Sequence, residues 1–264
     1  MRVGDFEVSI GIGTWRMGGG YWEADTSRDA QWIEVIRYAL EKGLTLVDTA
    51  EMYGGGHAEE LVGKAVSGIE RDSFFVVTKL WSNHLRYDDV IKYGRLSLRR
   101  LGLKYVDLLL IHWPNSSVPI GETVRAMERL VEEGTTRFIG VSNFNEEELR
   151  NAMESTSKYE IVANEIEYNV FRKDPEEGLI PFCEKSGVTV IAYTPLARGR
   201  VSVDPKVRKV AERYGRTPVQ VALKYVMRRS IPIPKASSRE HVDDIVGALG
   251  WNLSEDDYLY LKSV

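Results

Sequence analysis

Eight short apolar runs recur along the chain, each separated from the next by a longer stretch with helical spacing. They are Ile10–Gly13, Leu44–Asp48, Phe74–Lys79, Val106–His112, Phe138–Ser142, Ile161–Glu165, Val188–Tyr193 and Ile231–Pro234. Most are continuously apolar rather than alternating, which predicts parallel strands covered by helices on their outer face. The intervening stretches carry start and stop signals. Asp29–Glu41 ends before Gly43, and Val124–Glu133 before Gly134, both suited to a left-handed cap. Asn145 with Glu148 reads as an N-cap and its supporting acid, and Thr217-Pro218 opens a helix running towards Arg228. Ser254 with Asp257 opens a last helix. Eight strand–helix units allow a closed barrel or a doubly wound open sheet. The count of eight favours the barrel. So does the first run, where Gly11, Gly13 and Gly18–Gly20 do not form a Gly-x-Gly-x-x-Gly turn before a helix. A (β/α)8 TIM barrel is therefore expected as a single domain over residues 1–264. Met1–Ser9 should form a short hairpin plugging its bottom, and extra helices should lie near the C-terminus.

Composition removes several classes of function. The net charge of −4 argues against nucleic-acid binding. The small basic group Arg95, Arg99, Arg100 and Lys104 reads as a solvated helix face. Cys183 is the only cysteine, so no intramolecular disulfide can form, and it is expected to be buried and inert. No apolar run approaches the ~20 residues of a membrane span. Asp5 and Glu7 among the first residues are unlike a secretory leader. A cytoplasmic protein with no membrane partner is expected.

A parallel barrel builds its active site at the C-terminal ends of its strands. Those ends carry Asp48, Lys79, His112, Ser142 with Asn143, Glu165, Tyr193 and Lys235. Tyr53 follows Asp48 in the next loop and reaches the same mouth. A free tyrosine, with a pKa of about 10, is a poor acid near neutrality. A neighbouring ammonium lowers that pKa, and Lys79 is expected to supply it while Asp48 holds the lysine in place. His112 is placed to donate a hydrogen bond to a carbonyl oxygen. Together these groups could protonate a developing alkoxide, given a hydride source.

The residues also carry a resemblance. Val47-Asp48-Thr49-Ala50-Glu51-Met52-Tyr53-Gly54 with Glu59-Glu60-Leu61-Val62-Gly63 resembles the first motif of the aldo-keto reductase family. Thr78-Lys79-Leu80-Trp81, Ile111-His112-Trp113-Pro114, Gly140-Val141-Ser142-Asn143-Phe144 and Ile233-Pro234-Lys235-Ala236-Ser237 resemble its later motifs, in order. The resemblance implies reduction of an aldehyde or ketone by hydride from a nicotinamide cofactor bound without a Rossmann domain, and the reverse alcohol oxidation. Tyr53 would be the general acid, assisted by Asp48, Lys79 and His112. NADP(H) is implied as the preferred cofactor, NAD(H) as possible, and no metal. Ser142, Asn143 and Glu165 are implied at the nicotinamide, Tyr193 stacked on its ring, and Asp48 and Leu196 as further cofactor contacts. Lys235, Ser237, Ser238 and His241 are implied around the adenosine 2′-phosphate, and Asp244 as a further cofactor contact. A monomer is expected.

Three departures stand out. Glu165 occupies a position where the family commonly has glutamine. As a carboxylate it would favour the cationic oxidised nicotinamide. His241 occupies a position where many members have arginine, which leaves 2′-phosphate recognition mainly to Lys235. Gly54-Gly55-Gly56-His57 lengthens the loop after Tyr53, as in the prokaryotic and channel-subunit branches. Trp22, Trp81 and Trp113 are expected to wall an apolar substrate pocket, with no long C-terminal loop closing it. Two rival readings are a lyase using Lys79 as a Schiff-base nucleophile and a cofactor-bound regulator with little turnover.

Overall fold

The computed structural model describes residues 1–264. A hairpin of Arg2–Val3 against Phe6–Glu7 comes first. Eight parallel strands follow: β1 (Gly11–Gly13), β2 (Leu46–Asp48), β3 (Phe75–Leu80), β4 (Val106–Ile111), β5 (Thr136–Ser142), β6 (Ile161–Glu167), β7 (Thr189–Tyr193) and β8 (Ile231–Pro232). Each pairs with its sequence neighbours. The ring closes between β1 and β8, where the Gly13 N–H donates to the Pro234 carbonyl at 3.0 Å. Closure is tight. A Cβ on Gly13 would lie 2.8 Å from the Ile233 carbonyl oxygen, so the last strand can seat only against glycine there.

Helices α1 (Asp29–Glu41), α2 (His57–Val66), α3 (Tyr87–Leu101), α4 (Ile120–Glu132), α5 (Glu146–Glu154) and α6 (Leu179–Lys185) fill the successive crossovers. After them come α7 (Pro205–Tyr214), α8 (Pro218–Val226), α9 (Arg239–Val246) and α10 (Glu255–Lys262). The architecture is the expected (β/α)8 barrel, with α7 and α10 as the additional helices. Asn145 and Thr217 each form a full capping box, with Glu148 and Gln220 reaching back to the cap. The last strand is shorter than the sequence suggests, because Pro232 and Pro234 have no N–H to donate to a ladder.

Strand alternation sorts the side chains. Val47, Val76, Leu109, Ile111 and Val190 face outward into the core beneath the helices. Leu46, Phe75, Val77, Leu108, Leu110, Ala163, Ile191 and Ile231 face inward and fill the lower barrel. The hairpin caps this filling from below, with Val3 and Val8 buried and the Phe6 ring 5.4 Å from Phe75. Because the period is two, the next inward positions up the strands are Asp48, Lys79, His112, Glu165 and Tyr193. The apolar plug thus becomes the floor of a polar mouth. One expectation is corrected: Arg100 is not a solvated residue. It lies 3.3 Å from buried Glu59, which also accepts from the Thr78 hydroxyl at 2.6 Å. Lone Cys183 is buried, and burial pushes its thiol up to about 12.

Candidate active site

Asp48 and Lys79 come from adjacent strands and meet at 2.5 Å. The Lys79 ammonium also donates to the Thr49 carbonyl at 3.0 Å and lies 3.3 Å from Glu165 Oε1. It is entirely inaccessible to solvent. Burial works against its charge, but the Asp48 carboxylate, the nearer of the two acids, opposes that, and its pKa is held above the ordinary lysine value. Lys79 is therefore a fixed cation. That removes the Schiff-base reading, which needs a neutral amine.

Tyr53 is presented by a loop built from two glycine runs. The Gly54 N–H donates to the Gly20 carbonyl at 2.8 Å, so the loop after β2 is tied to the loop after β1. Gly54 and Gly55 have φ of 59° and 64°. A Cβ on either would strike a carbonyl oxygen of the facing loop: Gly18 at 2.4 Å, Trp22 at 2.6 Å. Glycine at both positions is what lets the loops meet and fixes the backbone beside Tyr53. The phenol ring sits with its centroid 5.3 Å from Lys79 Nζ and 5.8 Å from the His112 ring. Its titration corrects the expectation of a lowered pKa. Burial pushes the phenol above the usual tyrosine value; Lys79 pulls it down, but Asp48 opposes that pull. Tyr53 is thus a firmly protonated acid.

His112 is nearly buried, and burial together with the Lys79 charge holds its pKa well below the usual histidine value. It is a neutral imidazole, and its Nδ1 has no partner in the protein. Asn143 Nδ2 donates to the His112 carbonyl and to the Ser142 hydroxyl, both at 3.0 Å. The Ser142 hydroxyl donates to the Glu165 carbonyl at 3.0 Å, and Tyr193 donates to Asn143 Oδ1 at 2.8 Å. Asn143 has φ of 62°, a left-handed conformation that asparagine tolerates better than most residues. Half-buried Tyr193 is pushed up to about 12 by burial and by Glu167 and Glu165. Leu196 follows in the next loop, packed against the outer core.

Lys235 stands apart, beyond β8. Its ammonium lies 4.8 Å from the Trp32 ring centroid and donates to the Arg16 carbonyl at 3.3 Å. Burial and the charges of Arg28 and Arg16 lower its pKa. Arg28 covers the same Trp32 ring at 4.5 Å. Arg16 and Arg28 were not singled out from sequence. The signal available was their position in the segment joining the first run to the first helix. Ser238 caps α9, Ser237 and His241 share a contact of 3.0 Å, and Asp244 accepts from Thr217 at 2.6 Å and Gln220 at 3.1 Å. Arg239 pairs with Glu34 at 2.9 Å.

Of the three tryptophans, Trp81 lies edge-on to His112 at 5.5 Å and to Trp22 at 6.1 Å. Trp22 is 46% exposed and Trp113 44% exposed. Trp15 joins this wall, 4.9 Å from Tyr53 and 5.0 Å from Tyr21. The sequence reading also missed a support behind it: buried Glu51 accepts from the Trp81 N–H at 2.5 Å and from His84 at 2.9 Å. No group of three or more His, Cys, Asp or Glu side chains could hold a metal ion, and no helix is long and apolar enough to cross a membrane.

The family model for the Aldo/keto reductase family matches residues 9–264. The chain belongs to that family. Among curated relatives of this reductase, the methylglyoxal reductase YeaE of Escherichia coli is 33% identical, over 96% of this chain and 89% of its own. The aldo-keto reductase YhdN of Bacillus subtilis is 30% identical, over 97% and 89%. Among solved structures, the thermostable aldo-keto reductase Tm1743, crystallised with the inhibitor epalrestat, superposes with a TM-score of 0.94 at 41% identity, covering 99% and 97% of the two chains. An aldo/keto reductase of Klebsiella pneumoniae, in complex with NADP and acetate, superposes at 0.90 with 35% identity over 97% and 90%.

Proposed function

We propose that this aldo-keto reductase reduces small aldehydes, ketones or dicarbonyls with NADPH, using Tyr53 as the proton donor. The observation that carries the reading is the convergence of Tyr53, neutral His112 and the Asp48–Lys79 pair on one barrel mouth, under an aromatic wall. Bound there, NADPH would supply the hydride. Methylglyoxal reduction by relatives and NADP in a similar structure support the substrate class and the cofactor.

The fit of the cofactor rests on the cations. Lys235, Arg16 and Arg28 gather around one patch without an ion-paired acid, an arrangement suited to a phosphate. Ser237 and Ser238 would add hydroxyls there. Ser142, Asn143 and Glu165 would orient the nicotinamide amide, and Tyr193, held by Asn143, would face the ring.

The proton chemistry follows from the electrostatics. His112 stays neutral beside a fixed cation, so it can donate one hydrogen bond to a carbonyl oxygen without surrendering a charge. Charge then develops on that oxygen next to Lys79 and Tyr53. An alkoxide is a stronger base than a phenolate, so even a Tyr53 held above its usual pKa gives up its proton downhill. Lys79 stabilises the phenolate left behind. In alcohol oxidation the steps reverse. The test is NADPH consumption with a panel of small carbonyls, wild type against Tyr53→Phe, with cofactor binding measured separately. Turnover should collapse in the variant while NADPH affinity holds. Equal turnover in both would exclude Tyr53 as the acid.

A further inference from the structure

The floor of the mouth holds two carboxyls and one ammonium, Asp48, Glu165 and Lys79, each almost fully removed from water. If both acids were ionised, the cluster would carry an uncompensated negative charge, which a buried site does not tolerate. Geometry points to the same conclusion. Glu165 Oε2 is buried with no hydrogen-bond donor within the protein, and the Glu165 and Asp48 carboxyls crowd the same Lys79 ammonium. Two carboxylates cannot bond to one another, whereas a carboxylic acid and a carboxylate can. Asp48 is the nearer to the ammonium, at 2.5 Å against 3.3 Å for Glu165, so Asp48 keeps the charge and Glu165 keeps the proton.

We infer that Glu165 is a neutral carboxylic acid donating to Asp48, so that the cluster is uncharged and Glu165 acts as a positioning residue much as a glutamine amide would. The inference rests on the reading of this mouth as a nicotinamide site only for its cofactor consequence, not for the protonation itself. Burial, and then the Asp48 charge, push Glu165 well above the usual carboxylate range, with Lys79 pulling the other way. Burial raises Asp48 as well, against the pull of the same lysine. The other groups facing Glu165 are Tyr53 from the loop after β2 and Tyr193 on β7, both protonated at neutral pH. His112, at the end of β4, is neutral.

This replaces the expectation that Glu165 selects the oxidised cofactor by charge. At neutral pH no charge is there to select. On the alkaline side Glu165 ionises, and a cation bound beside it then helps it to do so. The oxidised cofactor should therefore bind more tightly as pH rises through that ionisation, while the reduced one should not.

Infrared difference spectroscopy on the free protein tests the protonation directly. At neutral pH the wild type should show the C=O stretch of a protonated carboxyl that Glu165→Gln removes. In Asp48→Asn, Glu165 becomes the sole counterion of Lys79 and should ionise, so the same band should vanish with Glu165 still present. A wild-type-minus-Glu165→Gln difference without that band, or a band that survives Asp48→Asn, overturns the inference. For the cofactor consequence, dissociation constants of NADP⁺ and NADPH are measured by quenching of tryptophan fluorescence. At neutral pH the NADP⁺ to NADPH ratio should be unchanged by Glu165→Gln, and the ratio should drift with alkaline pH only in the wild type. A ratio already shifted in favour of NADP⁺ at neutral pH would mean an ionised Glu165. Failure to bind either cofactor would sink the proposed function while leaving the infrared result intact.

Discussion

Replacing Lys79 by methionine isolates the energetics of the mouth. The variant keeps the length of the side chain and removes the ammonium, leaving Asp48 buried with no cation beside it. At an effective dielectric of about 20, charges 2.5 Å apart attract by roughly 7 kcal/mol before desolvation is subtracted. Breaking one side of a buried pair costs about 3–5 kcal/mol net. The folded variant limits that loss by taking up a proton on Asp48. Native Lys79→Met therefore binds one proton more than native wild type, in which Glu165 alone is protonated, so above the ordinary aspartate pKa of about 3.9 its stability relative to wild type falls as pH rises. The slope is at most about 1.4 kcal/mol per pH unit, so a cost of about 3–5 kcal/mol accumulates over roughly two to four units. Urea unfolding of wild type and variant at several pH values reads this out. The two curves should converge near pH ~4 and separate progressively towards neutrality. Adding Asp48→Asn to the variant should recover most of the loss at pH ~8, because no charge then remains to be paired. A gap independent of pH, or a variant as stable as wild type at the alkaline end, would refute the picture of a buried pair.

Two further outcomes follow from the geometry. Gly13→Ala should cost about 1–3 kcal/mol in urea unfolding, since its Cβ meets the Ile233 backbone where the barrel closes. Gly20→Ala, with nothing near its Cβ, should stay within about 0.5 kcal/mol and serves as the control. Lys235→Ala should weaken NADPH binding roughly 10- to 150-fold, the worth of one charge-assisted hydrogen bond, and leave NADH nearly unchanged. Equal losses for both cofactors in titration calorimetry would place Lys235 away from the 2′-phosphate.

The barrel was legible because every strand carries its own evidence. A run such as Leu108–Ile111 is apolar on both faces only if helices cover one side and other strands fill the other. The polar mouth was legible for the same reason. Once Leu46, Val77 and Ala163 are placed inward, a period of two puts Asp48, Lys79 and Glu165 above them without further information. What stayed hidden was whatever depends on how many groups share one volume. Tyr53 beside a lysine reads as an acidified phenol, but the ring is buried and the lysine's charge is already opposed by the Asp48 carboxylate. Arg100 reads as one cation of an exposed face until buried Glu59, forty-one residues earlier, is found beneath it. Arg16 and Arg28 lie far from Lys235 along the chain and meet it only because the barrel closes β1 against β8. Sequence periodicity says which way a side chain points, whereas titration depends on the sum of charges around it. Glu165 shows the difference most sharply. As a letter it is an acid where the family resemblance leads one to expect an amide, and it suggests an added charge. Placed beside Asp48 with a single shared cation, it can keep its proton and do the amide's work.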